Sequence, residues 1–229
     1  YASVLYMVRS NHVSEAVELQ KRVDDIAKGA ALMTGTTFEK QFIDGLADTV
    51  PNHTLENVPY RNFEALGVPA HTAEEKAFAD ALSKTYPGSD ALPGIGAEFD
   101  GAVADQVRQL RAKANGALND FLAPLYQGPA FEPGSTDVGD VSWQTPTGQI
   151  HVAAWPNGSP GHSWQNVSCG ATELGHKSAV HAGKVLAAAA IDLLTDPSLL
   201  EAARAEFQKQ TAAGYICPIP ADAVPVVPD

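Results

Sequence analysis

Apolar residues along this chain fall into two patterns, dense β-branched runs and spaced helical stripes. Ser3–Arg9 carries Val4, Leu5, Tyr6, Met7 and Val8 without interruption, which predicts a strand ending at Arg9. Val13, Ala16, Val17, Leu19, Val23, Ile26 and Ala27 then broadly follow the helical period, predicting a helix from Val13 with Gly29 as its stop. Residues 30–43 read as the tail of that helix turning into a second strand. A strand–helix–strand unit this short cannot bury its own faces. It reads as the second half of a small sandwich whose first half lies upstream.

Pro51-Asn52-His53-Thr54 breaks the pattern and sets the expected domain boundary, giving residues 1–52 and 53–229. Helices are predicted at about 55–66 and 72–86, the second opened by a capping box of Thr72 with Glu75. A Pro/Gly loop follows at 87–100, then a partly helical stretch at 101–121 and a glycine turn at 134–140. Gln149–Trp155 has the look of a buried strand, and the loop 156–161 leads from it to His162. An alanine-rich helix is predicted at 172–195. Asp196-Pro197, an N-cap with proline at the first turn, opens another that runs to 213 and ends at Gly214. The tail from Pro218 through Pro228 is too rich in proline for a helix.

At 229 residues, 45% hydrophobic and 18% charged, the composition is that of a globular chain with ample core. A formal net charge of −12 argues against nucleic acid or an anionic membrane as partner, since both are bound through Lys and Arg. Only two cysteines occur, Cys169 and Cys217. The two could pair, but so few thiols point more to free cysteines and a reducing, cytoplasmic setting. The sequence shows neither an uninterrupted apolar run of the roughly 18 residues a bilayer needs nor a basic-then-apolar leader. It opens directly on the first expected strand, as a chain entered partway would.

Candidate chemistry is concentrated in two stretches. Gly134-Ser135-Thr136-Asp137-Val138-Gly139-Asp140 sets carboxylates and backbone N–H groups in one turn, which suits substrate contact; an Asx turn capping the next segment is the plainer reading. Gly158-Ser159-Pro160-Gly161-His162-Ser163-Trp164 places an imidazole on a tight loop, the setting of a metal ligand or, more ordinarily, of a surface histidine. His176 and Lys177 lie near the start of a helix, where they line a pocket or simply supply polarity. His181, five residues after His176, does not share its face as an i,i+4 ligand pair would. Arg9 at the strand end offers a planar guanidinium for a carboxylate, or a solvated strand end. Glu74-Glu75 is explained by helix capping. Ser135, His162 and Asp137 do not make a triad, because no Gly-x-Ser-x-Gly elbow supports one.

Taken in order, the opening strand–helix–strand, Pro51–Asn57, Ser135–Trp143, His162-Ser163-Trp164 and Tyr215–Pro220 resemble the dinuclear-metal amidohydrolases and carboxypeptidases of the aminobenzoyl-glutamate hydrolase kind. The resemblance covers nearly the whole chain and only the C-terminal half of such a parent. It implies an α/β fold: the C-terminal part of a mixed-sheet, zinc-peptidase-like domain, with half of a small α+β (ferredoxin-like) domain that mediates dimerisation and lids the site. It implies His162 as a metal ligand, with Arg9, Ser135, Thr136, Asp137 and His176 as substrate-binding candidates. It implies two divalent ions, zinc or manganese, in the full-length parent, and a small-molecule amide substrate such as an acyl- or aroyl-glutamate.

The departures from that pattern are large. His-x-Asp and Cys-x-His are absent, and only His162 matches a ligand, so the metal site is expected to be incomplete on this chain. The general base is expected upstream, and the chain alone is expected to be inactive. The expected assembly is a homodimer through the small domain or a complex with a missing N-terminal half. The alternative is a non-catalytic binding or assembly protein that keeps the dimerising domain.

Overall fold

The computed structural model of the protein describes residues 1–88, 92, 101–114, 116–128 and 134–224. Most of the expected Pro/Gly loop at 87–100 and the end of the tail, including Pro228, lie outside the described residues. Eight helices are present among them: α1 (Val13–Thr34), α2 (His53–Leu66), α3 (Ala73–Ser83), α4 (Gly101–Lys113), α5 (Val138–Ser142), α6 (Trp164–Gly170), α7 (Glu173–Thr195) and α8 (Pro197–Gln210). Two compact units form. One comprises 1–51, 133–147 and 205–229; the other comprises 52–132 and 148–204.

The expected α/β fold, with its mixed sheet and half α+β domain, is overturned: the described residues contain helices and no strand. Residues 3–9, 36–43 and 149–155 run without regular structure. The physical reason is that a strand's backbone groups must be paired by a neighbour, and β propensity reflects fit to such a surface rather than an intrinsic preference. Without that neighbour the first run leaves its side chains in solvent; Val4 is 78% and Met7 74% exposed. In 149–155 the Ala153 carbonyl accepts a 2.6 Å bond from the Ser178 hydroxyl, a side-chain bond in place of a ladder.

The first unit is built on α1, which runs past Gly29 to Thr34 and stops at Gly35. Gly35 has φ +65°, and its N–H returns to the carbonyls of Ala31 and Leu32. Only a glycine takes that left-handed turn without steric cost. The helix start is capped from a distance: Asp48 Oδ1 accepts the Val13 N–H at 3.0 Å. Segment 44–50 then packs on α5. Gly139 lies so close to the Ala47 carbonyl that a Cβ there would sit 2.1 Å from its oxygen. Ser142 accepts the Val50 N–H at 2.8 Å, and the Trp143 indole donates to Asp48 O at 2.8 Å.

In the second unit α7 packs against α2 and α6. Leu174, Ser178, His181, Val185 and Ala189 form its buried stripe, at helical spacing. By length and composition α7 is also apolar enough to cross a bilayer. A compact core joins Ala79 and Leu82 of α3 to Ala117, Leu118, Cys169 and Leu174. Local signals fix the helix ends. Asn52 accepts the Leu55 N–H at 2.8 Å, the Thr72–Glu75 capping box forms as its spacing predicts, and Asp196 accepts the Ser198 N–H at 3.1 Å. Both cysteines are free, Cys169 buried and Cys217 exposed.

Candidate functional site

In the first unit the turn before α5 has a braced back and an open front. Asp140 forms the brace: one carboxylate oxygen accepts the Ala47 N–H at 3.1 Å and the other the Tyr215 hydroxyl at 2.7 Å. That bond to Asp140, with burial adding to it, pushes the Tyr215 phenol well above its ordinary range. Tyr215 also lies against Trp143, ring centres 6.2 Å apart. The front holds Ser135, Thr136 and Asp137, all exposed. The Thr136 hydroxyl accepts the Val138 N–H at 3.3 Å, while Asp137, at the N-cap position of α5, makes no side-chain capping bond. The capping reading of Asp137 therefore fails; its exposed carboxylate instead accepts the Thr136 hydroxyl at 3.3 Å. Arg9 belongs to the same unit, in an extended segment, with its guanidinium 3.9 Å from the Met7 sulfur.

In the second unit His162 is exposed and has φ +52°. It is the one residue other than glycine, among those described, in the left-handed region. An L-residue there costs about 1–2 kcal/mol. The conformation is imposed by its neighbours: Ser163 donates to the Pro160 carbonyl at 2.6 Å and accepts the Asn166 N–H at 3.4 Å, opening α6. The imidazole is thus carried on a fixed turn at a helix start. Among the described residues no group of three or more His, Cys, Asp or Glu side chains converges to hold a metal.

His176 lies on the first turns of α7, 3.5 Å from Glu173 Oε1. It lines a groove of about 400 Å³ in the second unit, with Leu66, Val68 and Pro69 on one side and Lys177 and Lys184 on the other. Lys177 does more than supply polarity. Its ammonium lies 2.7 Å from Glu75 Oε1 and donates to the Ala70 carbonyl at 3.3 Å. His181 is buried, its ring 5.6 Å from that of Phe63. Sequence reasoning missed Glu75 as an ion-pair centre, because its partner is 102 residues away and local capping already explained it. It also missed His71, which lies against the same carboxylate with its side chain 3% exposed.

The structure therefore places Arg9, Ser135, Thr136 and Asp137 in one unit and His162 and His176 in the other. No family model and no solved structure matches the chain. Among curated proteins it is related to a component of a hydrolase. That relative is one of the subunits of p-aminobenzoyl-glutamate hydrolase from Escherichia coli (strain K12). It is 37% identical over 228 residues, which take in 98% of this chain and 47% of that protein. The chain thus spans about half the length of the relative it matches.

Proposed function

We propose that this chain is part of a cytoplasmic, metal-dependent amidohydrolase whose substrate is an acyl- or aroyl-amino acid such as aminobenzoyl-glutamate. The observation that carries this reading is the 37% identity to a component of p-aminobenzoyl-glutamate hydrolase, sustained over 98% of the chain. In this reading His162 is the ligand the chain contributes toward two divalent ions, zinc or manganese. The fixed left-handed turn supports it, since backbone strain held in place by neighbours gathers at functional sites. A two-metal site needs further His, Asp or Glu ligands and a general base, and in this reading the upstream half supplies them.

What the other residues offer is recognition. Ser135, Thr136 and Asp137, all exposed, present hydroxyls and a carboxylate from a turn that Asp140 braces. A guanidinium such as that of Arg9 pairs with a substrate carboxylate through two parallel hydrogen bonds. His176 supplies a further polar contact. The relative is named as a subunit, which supports an assembly with partner chains. The assembly we propose is either a homodimer through the first unit or a pairing with a separate metal-binding half.

The test is hydrolysis of p-aminobenzoyl-glutamate by the complete assembly, with metal content measured alongside. His162→Ala should lower both metal content and kcat/KM, by more than the about 10–100-fold typical of losing an outer-shell partner. The isolated chain should bind fewer than two ions and show no turnover. Full activity and metal content in the variant, or two zinc or manganese ions on the isolated chain, would overturn the assignment.

A further inference from the structure

We propose that His71, Glu75 and Lys177 form an acid-released latch that holds the α2–α3 loop, residues 67–72, against α7. The loop supplies Val68, Pro69 and Ala70 to one wall of the groove, and α7 supplies His176, Lys177 and Val180 to it. A single carboxylate ties the two together. Glu75 accepts the Thr72 N–H at 2.8 Å, closing the cap of α3, and pairs with the Lys177 ammonium at 2.7 Å. Lys177 in turn donates to the Ala70 carbonyl at 3.3 Å. The loop is thus fastened at Ala70 and at Thr72.

His71 lies beneath this fastening with its side chain 3% exposed. Its Nδ1 is 3.5 Å from Glu75 Oε2 and is fully buried without a hydrogen-bond partner. A neutral ring tolerates that position; an imidazolium there would be shielded from water, with only the Glu75 carboxylate within reach, at 3.5 Å. Three charged groups face the ring: Glu75 and Lys76 from α3 and Lys177 from α7. Glu75 is already engaged by Lys177, and the two lysines oppose a third positive charge. Burial pushes the His71 imidazole below its ordinary range and outweighs the pull of Glu75.

The sign follows from linkage. The closed loop binds His71 in its neutral form, and the open loop exposes a ring with an ordinary value near 6.5. The closed state is therefore fully favoured above about pH 6.5 and loses ground as pH falls from there to the lowered value. One proton changes the open-to-closed ratio by at most about tenfold per pH unit.

The experiment is a pH titration of the full chain by NMR, following the His71 ring and the exchange protection of the Thr72 amide, which donates to Glu75. The expected result is a His71 midpoint below that of the same residue in the urea-unfolded chain, with intrinsic-rate-corrected protection falling in step as pH drops. Lys177→Met should raise the midpoint by leaving Glu75 to the imidazole, and His71→Gln should flatten the pH dependence of protection. A His71 midpoint at or above its unfolded value would overturn the latch. So would protection that stays constant while the ring titrates. The wild-type titration decides the matter even if a variant does not fold.

Discussion

α7 and α1 are almost the same length, 23 and 22 residues, yet they are held by different forces. α7 buries five residues along one stripe, whereas α1 buries only Val13. What keeps α1 helical is the Glu18–Lys21 and Asp25–Lys28 surface pairs, the Gly35 stop and a cap from Asp48, 35 residues away. Exposed pairs of that kind, screened by solvent, add little beside burying one large apolar side chain, worth roughly 1.5–3 kcal/mol. Helix length therefore says little about how firmly a helix is anchored; the burial along one face decides it.

The largest expected effect tests that contrast directly. Leu174→Ala on α7, at a residue 1% exposed in the core beside Leu82 and Cys169, should cost about 2–5 kcal/mol of unfolding free energy. Ile26→Ala on α1, at a residue 71% exposed, should stay within about 0.5 kcal/mol. Segment-resolved hydrogen exchange in urea reads both, and equal costs would break the comparison.

A middle-sized effect concerns the braced turn. Asp140→Ala orphans the Ala47 N–H and removes the acceptor of the Tyr215 hydroxyl, so about 1–3 kcal/mol should be lost from the first unit. Phenolate absorbance should show Tyr215 ionising at lower pH than in the parent chain, since its main perturbing partner is gone. A Tyr215 titration left unchanged would mean that Asp140 is not the brace.

The smallest effect is at the start of α1. The hydrogen bond to Asp48 raises the His12 imidazole above its ordinary value, and the attraction of that carboxylate adds to it. Its contribution is complete below about pH 6.5 and is lost as pH rises through the raised value. With the His12 side chain 66% exposed, solvent screening keeps the gain at or below the about 0.2–1 kcal/mol of a surface pair. Asp48→Asn should flatten the pH dependence of Val13 amide protection, corrected for the intrinsic exchange rate, while retaining an oxygen to accept the Val13 N–H; a Val13 protection that still varies with pH in the variant would overturn it.

Signals carried within a few residues were legible in the sequence. The Thr72–Glu75 box, the Asp196-Pro197 start and the long helices at 13, 53, 173 and 197 all formed, with ends shifted by a few residues. The expected strands did not form, because a strand is a statement about its neighbour, and Val4–Val8 has none among the described residues. α6 escaped because a seven-residue helix shows too few turns to establish a period. The same divide runs through the site candidates. Local composition marked Ser135–Asp137 and His162 but carried no trace of the left-handed backbone at His162. Nor did it show that Asp140 is occupied by Tyr215, 75 positions on, or Glu75 by Lys177, 102 positions on.

Asn52 ties the order of synthesis to the order of folding. Its side chain accepts from Leu55 at the start of the second unit and donates at 2.8 Å to the carbonyl of Ala203, 151 residues later. A chain emerging N-terminus first closes the near bond early and leaves the far one open until Ala203 has been made. Until then α2 has its cap, but the amide that caps it makes only one of these two bonds, so the nascent second unit stays unlocked. A chain cut before Ala203 would keep every helix from α2 to α7 and still lack that closing bond.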